Sequence, residues 1–268
     1  MEQVKRMLEF IEKSPSCYQV VGNVQKELET AGYVPLMENR KWELSSGGKY
    51  YLTRNGSSLI AFSIPKGKGD TDASIPQTEP IGFHMIASHS DSPCFKIYNN
   101  VLSIRGHHPP GKGQGTIQPC RKYHSPVFLY IELHILFFYF DFRLFPAGVK
   151  SEDILGGDLF LYNREKGRIF GANGEFICAP RLDDLECVYA SLQAMLHAMP
   201  ERYINLMIVF DNEEVGSTTR QGAASTFLQD TLKRICGAVG MAEDGYHRLL
   251  AESFMISADN AHAVHPNH

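Results

Sequence analysis

Apolar residues at the start of the chain recur at helical spacing. Val4, Met7, Leu8 and Ile11 in "EQVKRMLEFIEK" predict one amphipathic helix. "YQVVGNVQKELETAG" predicts a second, closing at Gly32 as helices often close at glycine. Short apolar runs follow, "GKYYLTR", "SSLIAFSIP" and "IGFHMIASHS", each of strand length. The polar, turn-rich "KGKGDTDASIPQTEP" separates the last two. Further on, "DLFLYN" reads as a strand. "RLDDLECVYASLQAMLHAM" reads as a helix with Leu185, Val188, Tyr189, Leu192 and Leu196 on one face. "YINLMIVFDN" is a buried-type strand and "SFMISADNAH" a last strand running into a loop. "STTRQGAASTFLQDTLKRI" is expected to be helical, with Ser217 as its cap. Strands alternating with helices predict an α/β fold around a mixed, mostly parallel sheet.

Residues 101–150 have another texture. "RGHHPPGKGQGTIQPCRKYHSP" is basic and rich in Gly and Pro, and "VFLYIELHILFFYFDFRLF" is apolar and aromatic. Glu132, His134, Asp141 and Arg143 interrupt the apolar run, and charges inside a membrane span are expensive, so strands are expected there. "GHHPPGKG" from Gly106 to Gly113 nearly spells a phosphate loop. It lacks the final Ser/Thr and no clear helix follows.

The composition narrows the partners. The chain has 268 residues, 43% hydrophobic, enough for a large domain or a domain carrying an insertion. The net charge of −4, with no long basic run, gives nucleic acid and anionic membranes little to bind. The first residues contain no uninterrupted apolar stretch of the secretory kind. Six cysteines without a C-x-x-C pair fit a reducing cytoplasm.

Chemistry concentrates at predicted strand ends, where open α/β sheets bind ligands. "IASHSDSP" brings His89 and Asp91; "VFDNEEVGS" brings Asp211, Glu213 and Glu214; "ISADNAHAVHPNH" brings Asp259, His262 and His265. "APRLDDL" places Asp183 and Asp184 at a helix start. Any one of these has a structural explanation, such as a helix-dipole charge or a surface pair. Together they are the ligand types of zinc, manganese or cobalt. Hydrolysis by two metals needs a bridging carboxylate, further His or carboxylate ligands, and an unligated carboxylate to take a proton. In His-x-Asp the carboxylate can fix the imidazole tautomer. No H-E-x-x-H and no G-x-S-x-G occurs.

"GGKYYLTRNGSSLIAF", "ASHSDSPCFKI", "APRLDDL", "DNEEVGS" and "SADNAHAVHPN" together resemble the M18 metallo-aminopeptidases, the aspartyl aminopeptidase family. That family belongs to the zinc exopeptidases, with a phosphorylase/hydrolase-like α/β core. The resemblance implies that His89 and Asp259 ligate a first metal, that Asp183 bridges two metals and that Glu214 ligates the second. It makes Glu213 the general base and Asp91 the residue orienting His89, with His262 near substrate or the ligands. It further implies two divalent ions, usually zinc. The substrates would be peptides with an N-terminal residue to remove, often an acidic one. A homo-oligomer built from dimers, a dodecamer in the family, is implied as well. The expected domains are a catalytic one from 1–93 and 180–268, and an inserted β-rich dimerisation domain from 94–179, atypical at 101–150.

The chain departs from the family pattern in three places. Family members continue past "HAVHPN" to a histidine completing the second metal, whereas this chain stops at His268. Residues 101–150 lack the family's Gly-Gly and Trp-x-Asp-Arg motifs, and the likeness returns at "SEDILGGDLFLY". Gln19 stands where the family often has histidine. Two alternatives therefore stand beside an aminopeptidase. One is an impaired fragment or assembly subunit; the other is an exopeptidase or deacylase of the same wider group.

Overall fold

The structure, a computed structural model, describes residues 1–66, 80–98, 101–105 and 159–261. The strands expected within 127–145, the near phosphate loop, His262 and His265 lie outside the described residues. The described residues divide into two compact units, one of Met1–Ser92 with Asn163–His268, the other Pro93–Tyr162.

The first unit is built on a six-stranded sheet. Its strands are β1 (Val34–Pro35), β2 (Lys49–Arg54), β3 (Ser58–Ser63), β4 (Gly82–His89), β10 (Tyr203–Phe210) and β11 (Phe254–Ser257). Their spatial order is β1-β2-β3-β10-β4-β11. β2/β3 and β3/β10 are antiparallel, while β1/β2, β10/β4 and β4/β11 are parallel. The sheet is thus mixed and mostly parallel, as the pattern predicts. A hairpin of β8 (Arg168–Phe170) and β9 (Phe176–Cys178) also belongs to this unit.

Helices cover both faces of the sheet. Ile204, Leu206 and Ile208 of β10 pack with Phe62 of β3 beneath α4 (Phe227–Ala238) and α5 (Glu243–Ala251). Met207 and Val209 of the same strand join the opposite core with α1 (Glu2–Lys13), α2 (Cys17–Thr30) and α3 (Leu182–His197). A strand buried on both faces has no polar side to show. This is why "YINLMIVF" reads as a continuous apolar run rather than an alternation. α1 turns Met7 and Ile11 inward, as its spacing predicts, together with Phe10, while Val4 and Leu8 are half-buried. α2 ends where Gly32 adopts φ +83° and the Tyr33 amide reaches back to the Leu28 carbonyl at 3.0 Å.

One expected helix is shorter than its pattern. Residues 217–226 form an irregular loop and α4 begins at Phe227. Ser217 has φ +59°, so it does not cap a helix, and Ser225 Oγ instead accepts the Phe227 amide at 3.2 Å. Gly222 passes so near the Ser217 carbonyl that a Cβ there would sit 2.2 Å from its oxygen. Ser58 Oγ and Arg54 hold the loop down through the carbonyls of Gln221 (2.7 Å) and Arg220 (3.3 Å). Arg54 is itself buried against the Phe227 ring and paired with Glu38 at 2.6 Å.

The second unit contains β5 (Cys94–Tyr98), β6 (Val101–Arg105) and β7 (Leu159–Leu161), an antiparallel sheet in the order β6-β5-β7. Among the described residues no helix is long and apolar enough to cross a membrane.

Phe62 is fully buried between the rings of Trp42 and Tyr50, with centroids 6.3 and 5.4 Å away. Phe62→Ala is expected to lower unfolding free energy by about 3–5 kcal/mol in urea titrations. A loss below about 1 kcal/mol would contradict this packing.

Candidate metal centre

Three adjacent parallel strands, β10, β4 and β11, end on the same edge of the sheet. Phe210 pairs with His89 and Ser257 with Ala87, so the residues just past each strand meet there. The irregular start of α3 faces them. Arg181 is left-handed (φ +60°), and Asp183 and Asp184 have non-helical angles joined by a cis peptide. These backbone angles aim the two neighbouring carboxylates differently: Asp184 is fully buried and the Asp183 side chain is 52% exposed.

His89 is the centre of the cluster. Its Nε2 lies 3.2 Å from Asp183 Oδ1, 3.5 Å from Asp259 Oδ1, and 4.0 Å from both Asp184 Oδ2 and Glu213 Oε2. Its Nδ1 stands 3.0 Å from the Asp91 backbone carbonyl and 3.5 Å from Asp91 Oδ1. A carbonyl oxygen only accepts, so Nδ1 carries a proton, and Nε2, which offers a lone pair once the ring is neutral, faces the carboxylates. The His89 amide donates to Asp184 Oδ2 at 3.0 Å. The Asp91 carboxylate accepts the Glu213 amide on Oδ1 at 3.1 Å and the Glu214 amide on Oδ2 at 3.2 Å. Ser92 Oγ donates to the Asp183 carbonyl at 2.9 Å, and Asn260 Nδ2 to the Leu182 carbonyl at 2.7 Å.

Burial opposes charge on the His89 ring, but Asp91, Asp184 and Asp259 overcome it and push its pKa up to about 10. Burial likewise pushes Glu214 up to about 7, reinforced by Asp183, Asp91 and Glu213 against the pull of His89. Asp184 is raised to about 6, by burial first and by Asp259, against the Cys187 thiol, the His89 amide and the His89 charge. The two carboxyls rise chiefly because they are buried, and the imidazole rises because carboxylates surround it.

The donors fit a divalent cation. One atom each from His89, Asp183, Asp184 and Asp259 lie within 4.8 Å of one another. Asp184 Oδ1 is enclosed, with no hydrogen-bond partner among the described residues. The structure therefore brings together His89, Asp91, Asp183, Glu213 and Asp259 of the sequence-predicted set. Glu214 sits beside them through Asp91, and His262 lies outside the described residues. The sequence reading placed Asp184 at the helix start but gave it no role at the metal. Its signal was the doubled acid before an apolar helix, which does not say which of the two points inward.

The model of the aminopeptidase I zinc metalloproteases (M18) matches residues 10–103 and 143–268. The chain belongs to the M18 family. Its fold class, a zinc-exopeptidase-type α/β core, is that of this family of metallo-aminopeptidases. All of the M18 chain aligns at 33% identity with "Probable M18 family aminopeptidase 2" of Clostridium acetobutylicum, covering 74% of that protein. The Clostridium novyi protein of the same name is 32% identical over 97% of the chain and is covered to 72%. Chaetomium thermophilum mApe1 superposes with a TM-score of 0.75 at 26% identity, over 98% of this chain and 75% of that one. Yeast aminopeptidase 1 shares the fold at 24% identity, TM-score 0.75, over 98% of this chain and 72% of that one.

Zinc binding is predicted to release protons and to tighten as pH rises. Nε2 cannot ligate until His89, protonated up to about 10 without a cation, gives up its ring charge. Below about 7, Glu214 also takes up a proton that a cation must displace. Calorimetry in buffers of different ionisation enthalpy measures both effects. Affinity independent of pH, with no proton release, would contradict the assignment.

Proposed function

We propose that the chain is a dinuclear metal-dependent aminopeptidase that removes N-terminal residues, preferably acidic ones, from peptides. The observation behind this reading is His89 Nε2 facing the carboxylates of Asp183, Asp259 and Glu213 at 3.2, 3.5 and 4.0 Å, at the ends of parallel strands. His89 and Asp259 would hold a first divalent ion, Asp183 would bridge to a second, and Glu214 would hold the second. Zinc is the expected ion, with manganese or cobalt as substitutes. Bound there, such a pair lowers the pKa of water and polarises the scissile carbonyl.

The chain's own residues supply the proton transfers. Glu213 takes a proton from the attacking water as its oxygen adds to the carbonyl carbon. It returns that proton to the departing amine when the C–N bond breaks. The side chain of Glu213 is 42% exposed, so it can reach a substrate entering from solvent. His89 is kept in one tautomer by its Nδ1–H bond to the Asp91 carbonyl.

We further propose a homo-oligomer in the cytoplasm, with the inserted domain expected at 94–179, whose compact part is Pro93–Tyr162, serving assembly. The S. cerevisiae mApe1 structure is a dodecamer.

A second reading, an impaired fragment or assembly subunit, has its own support. Among the described residues the metal-binding cluster contains a single histidine, His89, and does not include Glu214.

Glu213→Gln is expected to retain zinc while kcat on an aspartyl or glutamyl anilide falls by about 10²–10⁴. A near-normal rate would remove Glu213 from the role of base. Metal analysis of the purified chain separates the two readings. Two ions per chain with turnover supports the aminopeptidase. One or none, without turnover, supports the impaired fragment.

A further inference from the structure

Asp91 stands two residues beyond His89, and besides facing that ring its carboxylate makes two bonds elsewhere. One oxygen accepts the Glu213 amide at 3.1 Å and the other the Glu214 amide at 3.2 Å. The carboxylate is buried, the residue being 8% exposed. The His89 ring already has a nearer acceptor, the Asp91 backbone carbonyl at 3.0 Å against 3.5 Å for the carboxylate. The turn it grips is short and irregular. Asn212 has φ +66°, residues 213–215 make one 3-10 turn, and Gly216 has φ +93°. The turn's own backbone bonds run from the Gly216 amide to the Glu213 carbonyl and from the Ser217 amide to the Asn212 carbonyl, both 2.8 Å, and neither uses the Glu213 or Glu214 amide. Its two leading amides would be orphaned without Asp91.

We propose that Asp91 is a positioning residue for the base: its carboxylate clasps the Glu213–Glu214 turn and so sets where Glu213 stands relative to His89. This rests on the reading of Glu213 as the base. It adds that the side chain of Asp91 acts on the glutamate turn, while its backbone carbonyl orients the histidine. Charge-assisted bonds from two successive amides to one carboxylate fix a turn in two directions at once. A base displaced by about 1 Å loses on the order of 10²-fold in rate.

The test compares Asp91→Ala and Asp91→Asn in the full chain with zinc, by three readouts. Amide exchange at Glu213 and Glu214 should accelerate by about tenfold or more in Asp91→Ala, with β4 and β10 unchanged. Asp91→Asn keeps one acceptor oxygen and should free one amide. Zinc affinity should fall far less than kcat, because the carbonyl on His89 Nδ1 survives both substitutions. In the Glu213→Gln background, Asp91→Asn should lower kcat by much less than it does alone, because both act through one carboxylate. Unchanged exchange at the two amides would overturn the clasp. Multiplicative losses, or zinc affinity falling as much as turnover, would overturn its action through Glu213. A wild-type chain without turnover would instead refute the aminopeptidase reading, and the exchange measurement would still decide the clasp.

Discussion

Repulsion among carboxylates is the constraint on which this structure turns. Asp91, Asp183, Asp184, Glu213 and Asp259 all approach one imidazole, and Asp184 does so fully buried. In water such groups would separate. Here the scaffold forbids it: His89 ends β4, Asp91 and Glu213 follow β4 and β10, and Asp183 and Asp184 open α3, elements packed in the two cores, while Asp259 follows β11, held by its parallel pairing with β4. The His89 ring charge offsets part of the repulsion; burial first, and neighbouring carboxylates after it, hold the Glu214 and Asp184 carboxyls above their ordinary range. A divalent cation is the species such a cluster is suited to hold.

The scaffold delivers this through the parallel alignment of β10, β4 and β11. Parallel neighbours end together, so three loops distant in sequence share one edge. Helices on both faces keep β10 and β4 in place, and the loop after β10 is pinned to β3 through Ser58 and to β2 through Arg54. Asp91 then ties the β4 loop to the β10 loop directly. Preorganised donors of this kind need little rearrangement when charge develops during a reaction.

Much of this was legible in the sequence. Both first helices follow from their 3.6-residue spacing, and β2, β3, β4, β10 and β11 from short apolar runs of strand length. The start of α4 was not legible. "STTRQGAAS" has acceptable helical composition, and only its tertiary anchors and the left-handed Ser217 hold it as a loop. The short β1, the β8–β9 hairpin and α5 were missed because two- or three-residue strands and a nine-residue helix leave almost no period to read. At the site, residue types announced metal chemistry, but Asp184's inward turn and the commitment of Asp91 to two amides depend on backbone angles that no spacing encodes.

Anomalous diffraction at the zinc edge from zinc-loaded crystals tests the central claim most directly. The account predicts a peak about 2.0–2.2 Å from His89 Nε2 and from carboxylate oxygens of Asp183 and Asp259. Full zinc loading with no peak there, or with peaks only elsewhere on the surface, would contradict it.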